Sequence, residues 1–112
     1  EENRVTRAQQ YIRSHFTRSE LTVAEVAMAA GCTPTHLAHC FRQQLDTTVK
    51  GWMIEQRLAH AKHLLDQGHT SVKQVAYLSG WRSPSHFSNT FAERFGTRPA
   101  AYIEQGEDEQ LA

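Results

Sequence analysis

This chain has no run of apolar residues approaching the roughly 18 needed to cross a bilayer, and no basic segment leads into an apolar stretch as in a signal peptide. Membrane spanning and secretion are thereby set aside, and a cytoplasmic protein is expected. Glycine-rich phosphate loops, nucleophile motifs and convincingly spaced metal motifs are missing too, so the usual signatures of an enzyme are absent. Small helical bundles rarely enclose a pocket. Cysteine is scarce, with only Cys32 and Cys40, which excludes a disulfide framework and suits a chain kept reduced. Net charge of either sign is lacking as well, since twelve Lys and Arg meet twelve Asp and Glu.

That neutrality hides an uneven distribution. Glu1, Glu2, Glu104, Glu107, Asp108 and Glu109 are half of the twelve acids and lie at the ends, so the body from Asn3 to Ile103 carries all twelve bases and a net charge of +6. Such a body is compatible with a phosphate-facing surface, and equally with a solvated mixed-charge one. With 112 residues and 39% hydrophobic content the chain suits a small globular unit with a modest core. It opens on Glu1 rather than Met, which is compatible with a domain cut from something longer.

Cys32, His36, His39 and Cys40 have a spacing that resembles a metal set. If Pro34 begins a helix, however, the two histidines point away from the face marked by Leu37 and Phe41, and four ligands cannot converge without unwinding it. No metal or other cofactor is expected, nor from His60 and His63, which read as solvated or partly packed.

The most informative stretch is Ser71 to Ile103. Ser71 precedes Val72, with Gln74 where a capping-box partner would sit, so a helix starts there and Gly80 ends it. Ser83-Pro84 is a second start, a cap followed by proline at the first helical position. Phe87, Phe91 and Phe95 recur every four residues and share one face. This reads as helix-turn-helix.

Upstream, a helix from about Arg4 to Phe16 places Val5, Ala8, Ile12 and Phe16 near one face. Thr22-Val23-Ala24-Glu25 has the form of a capping box, and the helix it starts runs to Gly31. Thr33-Pro34 then opens another helix with a stripe of Leu37, Phe41 and Leu45. This is an internal repeat. Val23, Val26, Ala27 and Gly31 recur 49 positions later as Val72, Val75, Ala76 and Gly80. After one inserted turn residue, Pro34, His36, Leu37, Phe41, Leu45, Trp52 and Met53 recur 50 positions later as Pro84, His86, Phe87, Phe91, Phe95, Tyr102 and Ile103.

Between the repeats, Val49 to Asp66 lacks proline and ends before Gly68. Ile54, Leu58, Ala61 and Leu65 keep one face, and a helix of about 26 Å is expected. The expected divisions are a first helix-turn-helix subdomain at 4–48, a linker helix at 49–66, a second subdomain at 67–105, and an acidic, disordered tail at 106–112.

Opposite the first stripe lie Thr35, His36, His39, Arg42 and Gln43; opposite the second lie Ser85, His86, Asn89, Ala92 and Glu93. In a lone helix these would simply face solvent, but in a duplicated helix-turn-helix they are the residues that would touch bases. Asn89 suits adenine, Arg42 guanine or a phosphate, and His39 a guanine acceptor. Phosphate contacts are expected at the helix starts Thr22, Thr33, Ser71 and Ser83, and from Lys50, Arg82 and Arg98.

The run Ala76, Gly80-Trp81, Ser83, Phe87, Phe91, Phe95-Gly96, Pro99 and Tyr102 resembles the C-terminal signature of the AraC/XylS family of bacterial transcription regulators, and the likeness extends from about Arg4 to Ile103. It implies an all-α fold, a seven-helix unit of two helix-turn-helix subdomains joined by a long linker helix. It also implies sequence-specific binding to double-stranded promoter DNA and action on transcription, often as an activator that contacts RNA polymerase, while the length of the linker helix would hold the two recognition helices near successive major grooves. An effector or dimerisation domain would lie outside this chain. The family's placement favours Thr35, Ala38 and His39 in the first recognition helix and Ser85, Ser88 and Asn89 in the second, and implies that His36 and His86 are partly buried. The alternative is a helical protein-interaction module that has kept the fold but lost DNA binding. Cys32 departs from the pattern where the second repeat has Trp81, and Asp46 where it has Gly96.

Overall fold

The computed structural model describes residues 2–111, with side chains from residue 4 to residue 106. Within them are seven α-helices: α1 (Glu2–His15), α2 (Val23–Ala30), α3 (Pro34–Leu45), α4 (Val49–Asp66), α5 (Val72–Leu78), α6 (Pro84–Phe95) and α7 (Pro99–Leu111). The all-α, seven-helix fold expected from the sequence is the one observed. No described helix is long and apolar enough to cross a membrane.

The chain divides into two compact units between Gln56 and Arg57, inside α4. The linker helix is therefore shared between the two halves. In the first unit, Val5, Ala8 and Ile12 of α1, Val26, Ala27 and Ala30 of α2, Leu37 and Phe41 of α3, and Val49 and Met53 of α4 form a buried cluster with Leu21. Trp52 closes over it edge-on to Phe41, with ring centroids 6.4 Å apart. In the second unit Val75, Ala76, Trp81, Phe87, Phe91, Leu58, Ala61 and Leu65 are buried. Phe91 contacts the rings of Phe87, Phe95 and Tyr102 at 5.6, 4.7 and 5.9 Å. The phenylalanines at every fourth position of α6 thus form a continuous ladder that reaches α7.

Within this second unit α4 is fastened by polar contacts as well. His60 Nδ1 lies 3.1 Å from Oγ of the fully buried Ser79. The hydroxyl of Tyr102 donates to Asp66, and the Lys62 ammonium sits over the rings of Phe95 and Tyr102 at 6.0 and 5.6 Å. Helix α7 continues through Leu111, where a disordered tail was expected from 106. Glu, Gln and Leu are good helix formers. The side chains of 107–112 lie outside the described residues.

The repeat extends to individual hydrogen bonds. Cys32 N–H donates to Ala27 O at 3.0 Å, and Trp81 N–H donates to Ala76 O at 2.9 Å. The residue preceding each donor, Gly31 and Gly80, is left-handed, with φ of 80° and 92°, a conformation that glycine takes without steric cost. Thr33 and Ser83, the next matching pair, both accept at helix starts, so the inserted residue of the second turn is Arg82.

Candidate nucleic-acid interface

Each helix-turn-helix places its second helix by a side-chain cap. Thr33 Oγ1 accepts from His36 N–H at 3.1 Å and Ser83 Oγ from His86 N–H at 3.2 Å, with Pro34 and Pro84 in the first turn of α3 and α6. The first helices are capped in the same way, Thr22 accepting from Glu25 N–H and Ser71 from Gln74 N–H, both at 3.1 Å. All four cap residues are exposed.

One sequence expectation is only half met. Thr22 caps α2, but the Glu25 carboxylate that would complete the box is engaged elsewhere. Arg18 donates to it at 2.8 and 3.1 Å, and the Tyr11 hydroxyl donates to it as well. The Arg18 bond, then that of Tyr11, holds this carboxyl below the usual range. A charged donor is the stronger partner, and it outcompetes the local backbone N–H.

Burial of Leu37, Phe41, Phe87 and Phe91 fixes which faces of α3 and α6 look outward. Thr35, Ala38, His39 and Arg42 are exposed on α3, and Ser85 and Asn89 on α6, while Ser88 is half-buried. The structure brings the second set together with a cation. Pro84, Ser85, Ser88, Asn89 and Arg98 line one open concavity of about 390 Å³. Hydroxyl, carboxamide and guanidinium donors thus converge on one opening, a combination suited to base edges beside a phosphate.

On α3 the expected readers are exposed, but their cation is differently placed. Arg42 lies 3.9 Å from the Asp46 carboxylate, one helical turn further along. Lys50 is exposed in the first turn of α4, which is capped by Thr48, a cap the sequence reading missed. Thr48 Oγ1 accepts from Gly51 N–H at 2.8 Å, and a side chain at Gly51 would start only 2.9 Å from that oxygen. Arg82 is exposed, and after burial its charge is the second cause that lowers the Arg57 guanidinium pKa.

Partial burial of His36 and His86 was implied by resemblance, yet both are exposed. His86 meets the buried Trp81 edge-on at 5.3 Å, and His36 Nε2 takes a bond from Arg4 Nη1 at 2.8 Å. At the third position of their helices both rings lie off the apolar stripe, as helical phase alone indicates. Cys32 and Cys40 are free and half-buried.

Residues 26–105 match the model of a helix-turn-helix domain family. The chain belongs to the AraC/XylS family. Among AraC/XylS relatives, the arabinose operon regulatory protein of Escherichia coli strain K12 is 35% identical over 101 residues, covering 90% of this chain and 35% of that protein. The C-terminal domain of AraT, a response regulator from Geobacillus stearothermophilus, superposes with a TM-score of 0.85 at 28% identity, covering 91% of this chain and 84% of that one. The DNA-binding domain of the global transcriptional factor AdpA, solved in complex with a target DNA, gives 0.89 at 25% identity and covers 97% of each chain. The chain spans about a third of the length of the arabinose regulators it matches. These relatives are transcription regulators rather than enzymes.

Proposed function

We propose that this chain binds double-stranded promoter DNA sequence-specifically and regulates transcription as the DNA-reading part of a longer AraC/XylS protein. Helices α3 and α6 are the recognition helices, inserted in successive major grooves. Thr35, Ala38, His39 and Arg42 read bases from α3, and Ser85, Ser88 and Asn89 from α6. Thr22, Thr33, Ser71, Ser83, Lys50, Arg82 and Arg98 hold phosphates. RNA polymerase and an effector or dimerisation domain outside this chain are the further partners.

The observation that carries this reading is the concavity where Ser85, Ser88, Asn89 and Arg98 open to the surface. Its polar groups are too exposed for a core; those of Ser85, Ser88 and Asn89 sit on the outer face of a helix-turn-helix's second helix, and Arg98 joins them from the residue before α7. Because the exposed residues of α3 and α6 differ, one chain reads an asymmetric site. Selection of bound duplexes from a random library tests this directly. The expected result is a non-palindromic site of roughly two helical turns, with affinity that falls steeply as salt rises. Recovery of unenriched sequence, or affinity indifferent to salt, would reject it.

A further inference from the structure

The first helix-turn-helix has little positive charge of its own. From Leu21 to Thr48 the one Lys or Arg is Arg42, against Glu25 and Asp46, whereas Ser71 to Arg98 holds Lys73, Arg82, Arg94 and Arg98 against Glu93. Arg42 is moreover within 3.9 Å of Asp46. A motif in that state is poorly equipped to hold a polyanion.

Helix α1 makes up the deficit. Arg4 Nη1 donates to His36 Nε2 at 2.8 Å across 32 residues of sequence, and Arg7 Nη1 lies 3.9 Å from where a side chain at Gly31 would begin. Arg4 and Arg7 are three residues apart and so share a face of α1. One guanidinium therefore stands at the first turn of α3 and the other at the α2–α3 turn. The remaining arginines near α1 are committed elsewhere, Arg13 over the Trp52 ring at 5.2 Å and Arg18 to Glu20 and Glu25. A guanidinium has only donors, so His36 Nε2 must accept and its ring is neutral while the bond lasts. Cys40 Sγ flanks the same nitrogen at 3.6 Å. His36 is next to Thr35 in sequence and one turn before His39, so its bond holds Arg4 beside the expected base readers.

We propose that Arg4 is a DNA phosphate contact of the first helix-turn-helix, delivered from α1 and held at the start of α3 by His36, with Arg7 as a companion at the turn. His36 is here a positioning residue. The assignment rests on the DNA-binding reading above.

The whole chain is titrated by fluorescence anisotropy with an unselected duplex of about 30 base pairs, roughly three turns, between about 50 and 200 mM salt. Arg4→Ala and Arg4→Gln should each flatten the log–log salt slope by about one unit, so they lose roughly threefold less affinity over that range than the unchanged chain. Arg4→Lys should keep the slope, and His36→Gln, which retains an acceptor, should restore what His36→Phe loses. A purely structural role would lower the melting temperature without moving the slope, and Arg4→Gln is the variant to read if the alanine form folds poorly. If the unchanged chain shows no salt-dependent duplex binding, the DNA-binding reading itself falls. If its slope is steep and both neutral variants share it, this assignment alone is overturned.

Discussion

The two helix-turn-helix units share their N-caps, a left-handed turn glycine and the hydrogen bond that follows it, yet they hold themselves together differently. The second is built around rings: Trp81 is buried against Phe87, and Phe91 touches Phe87, Phe95 and Tyr102. In the first, Cys32 stands in place of Trp81 and is only half-buried, Leu37 and Leu45 replace phenylalanines, and Asp46 replaces the helix-ending Gly96. To compensate, the first unit has α1, which supplies Val5, Ala8 and Ile12 to the core and arginines to the surface. Duplication preserved the backbone rules and let each copy find its own way of filling the same space.

The largest effect should come from the ladder. Phe91 and Phe41 are both fully buried at matching positions, and truncation of either to alanine should cost about 3–5 kcal/mol. Phe91→Ala should lie near the upper end because each aromatic pair adds about 0.5–1.5 kcal/mol beyond burial. Trp52 falls in the first unit and Trp81 in the second, so their indole N–H signals in urea titrations followed by NMR report each unit separately. Equal losses for the two variants would show that the ladder adds nothing beyond area.

Next in size is base reading. Asn89 shares its concavity with Arg98, whereas His39 has Arg42 near it on a helix where that guanidinium lies toward Asp46. Asn89→Ala should cost about 1–3 kcal/mol on the selected duplex and relax one base pair. His39→Ala should cost less. A larger loss at His39, or an unaltered ranking of sequences for Asn89→Ala, would invert the assignment of the second unit as the stronger reader.

Much of this architecture was legible in the sequence because its causes are local. A cap, a proline at the first helical position, a glycine stop and apolar residues at every fourth position act within one or two turns; for α4, which runs over Val49–Asp66, the apolar spacing and the glycine stop sufficed without the cap. The misses have partners far away along the chain. Glu25 is taken by Arg18 and Tyr11, 7 and 14 residues distant, and Arg4 reaches His36 over 32. No periodicity announces such pairs. For His36 and His86, helical phase placed the rings outside and the resemblance placed them partly inside; phase describes this chain's own stripe, and it prevailed.

A smaller effect separates the two helix ends. Asp46 holds φ 54° and ψ 39°, the one left-handed non-glycine among the described residues, whereas Gly96 holds φ 78° with nothing near its missing side chain. An L-residue in this conformation costs about 1–2 kcal/mol, and glycine gives back part of the relief through the freer unfolded chain. The exposed Arg42–Asp46 pair offers only about 0–1 kcal/mol against the exchange. Asp46→Gly should therefore stabilise the first unit by about 0.5–1 kcal/mol, and Gly96→Asp should weaken the second by a similar amount. Thermal unfolding of both variants checks the sign; destabilisation by Asp46→Gly would mean that the aspartate's contacts outweigh its backbone strain.

Acid should act on the two units in sequence, and here the effect is the smallest. Burial, with the charge of His63 second, holds the His60 imidazole below its ordinary value in the folded second unit, where Ser79 lies against its ring. The unfolded chain binds that proton more readily, so the stability His60 contributes is present above about pH 6.5 and is lost as pH falls from there through the folded value. In the first unit Glu25 is also depressed, by its bonds to Arg18 and Tyr11. Its contribution is present above the ordinary carboxylate value and is lost as pH falls from there through the lower folded value. On acidification the Trp81 indole signal should therefore shift toward its unfolded position before that of Trp52, and His60→Gln should remove the early step while leaving the later one. Simultaneous loss of both signals, or an early step that survives His60→Gln, would show that the units do not titrate separately or that another histidine governs the second.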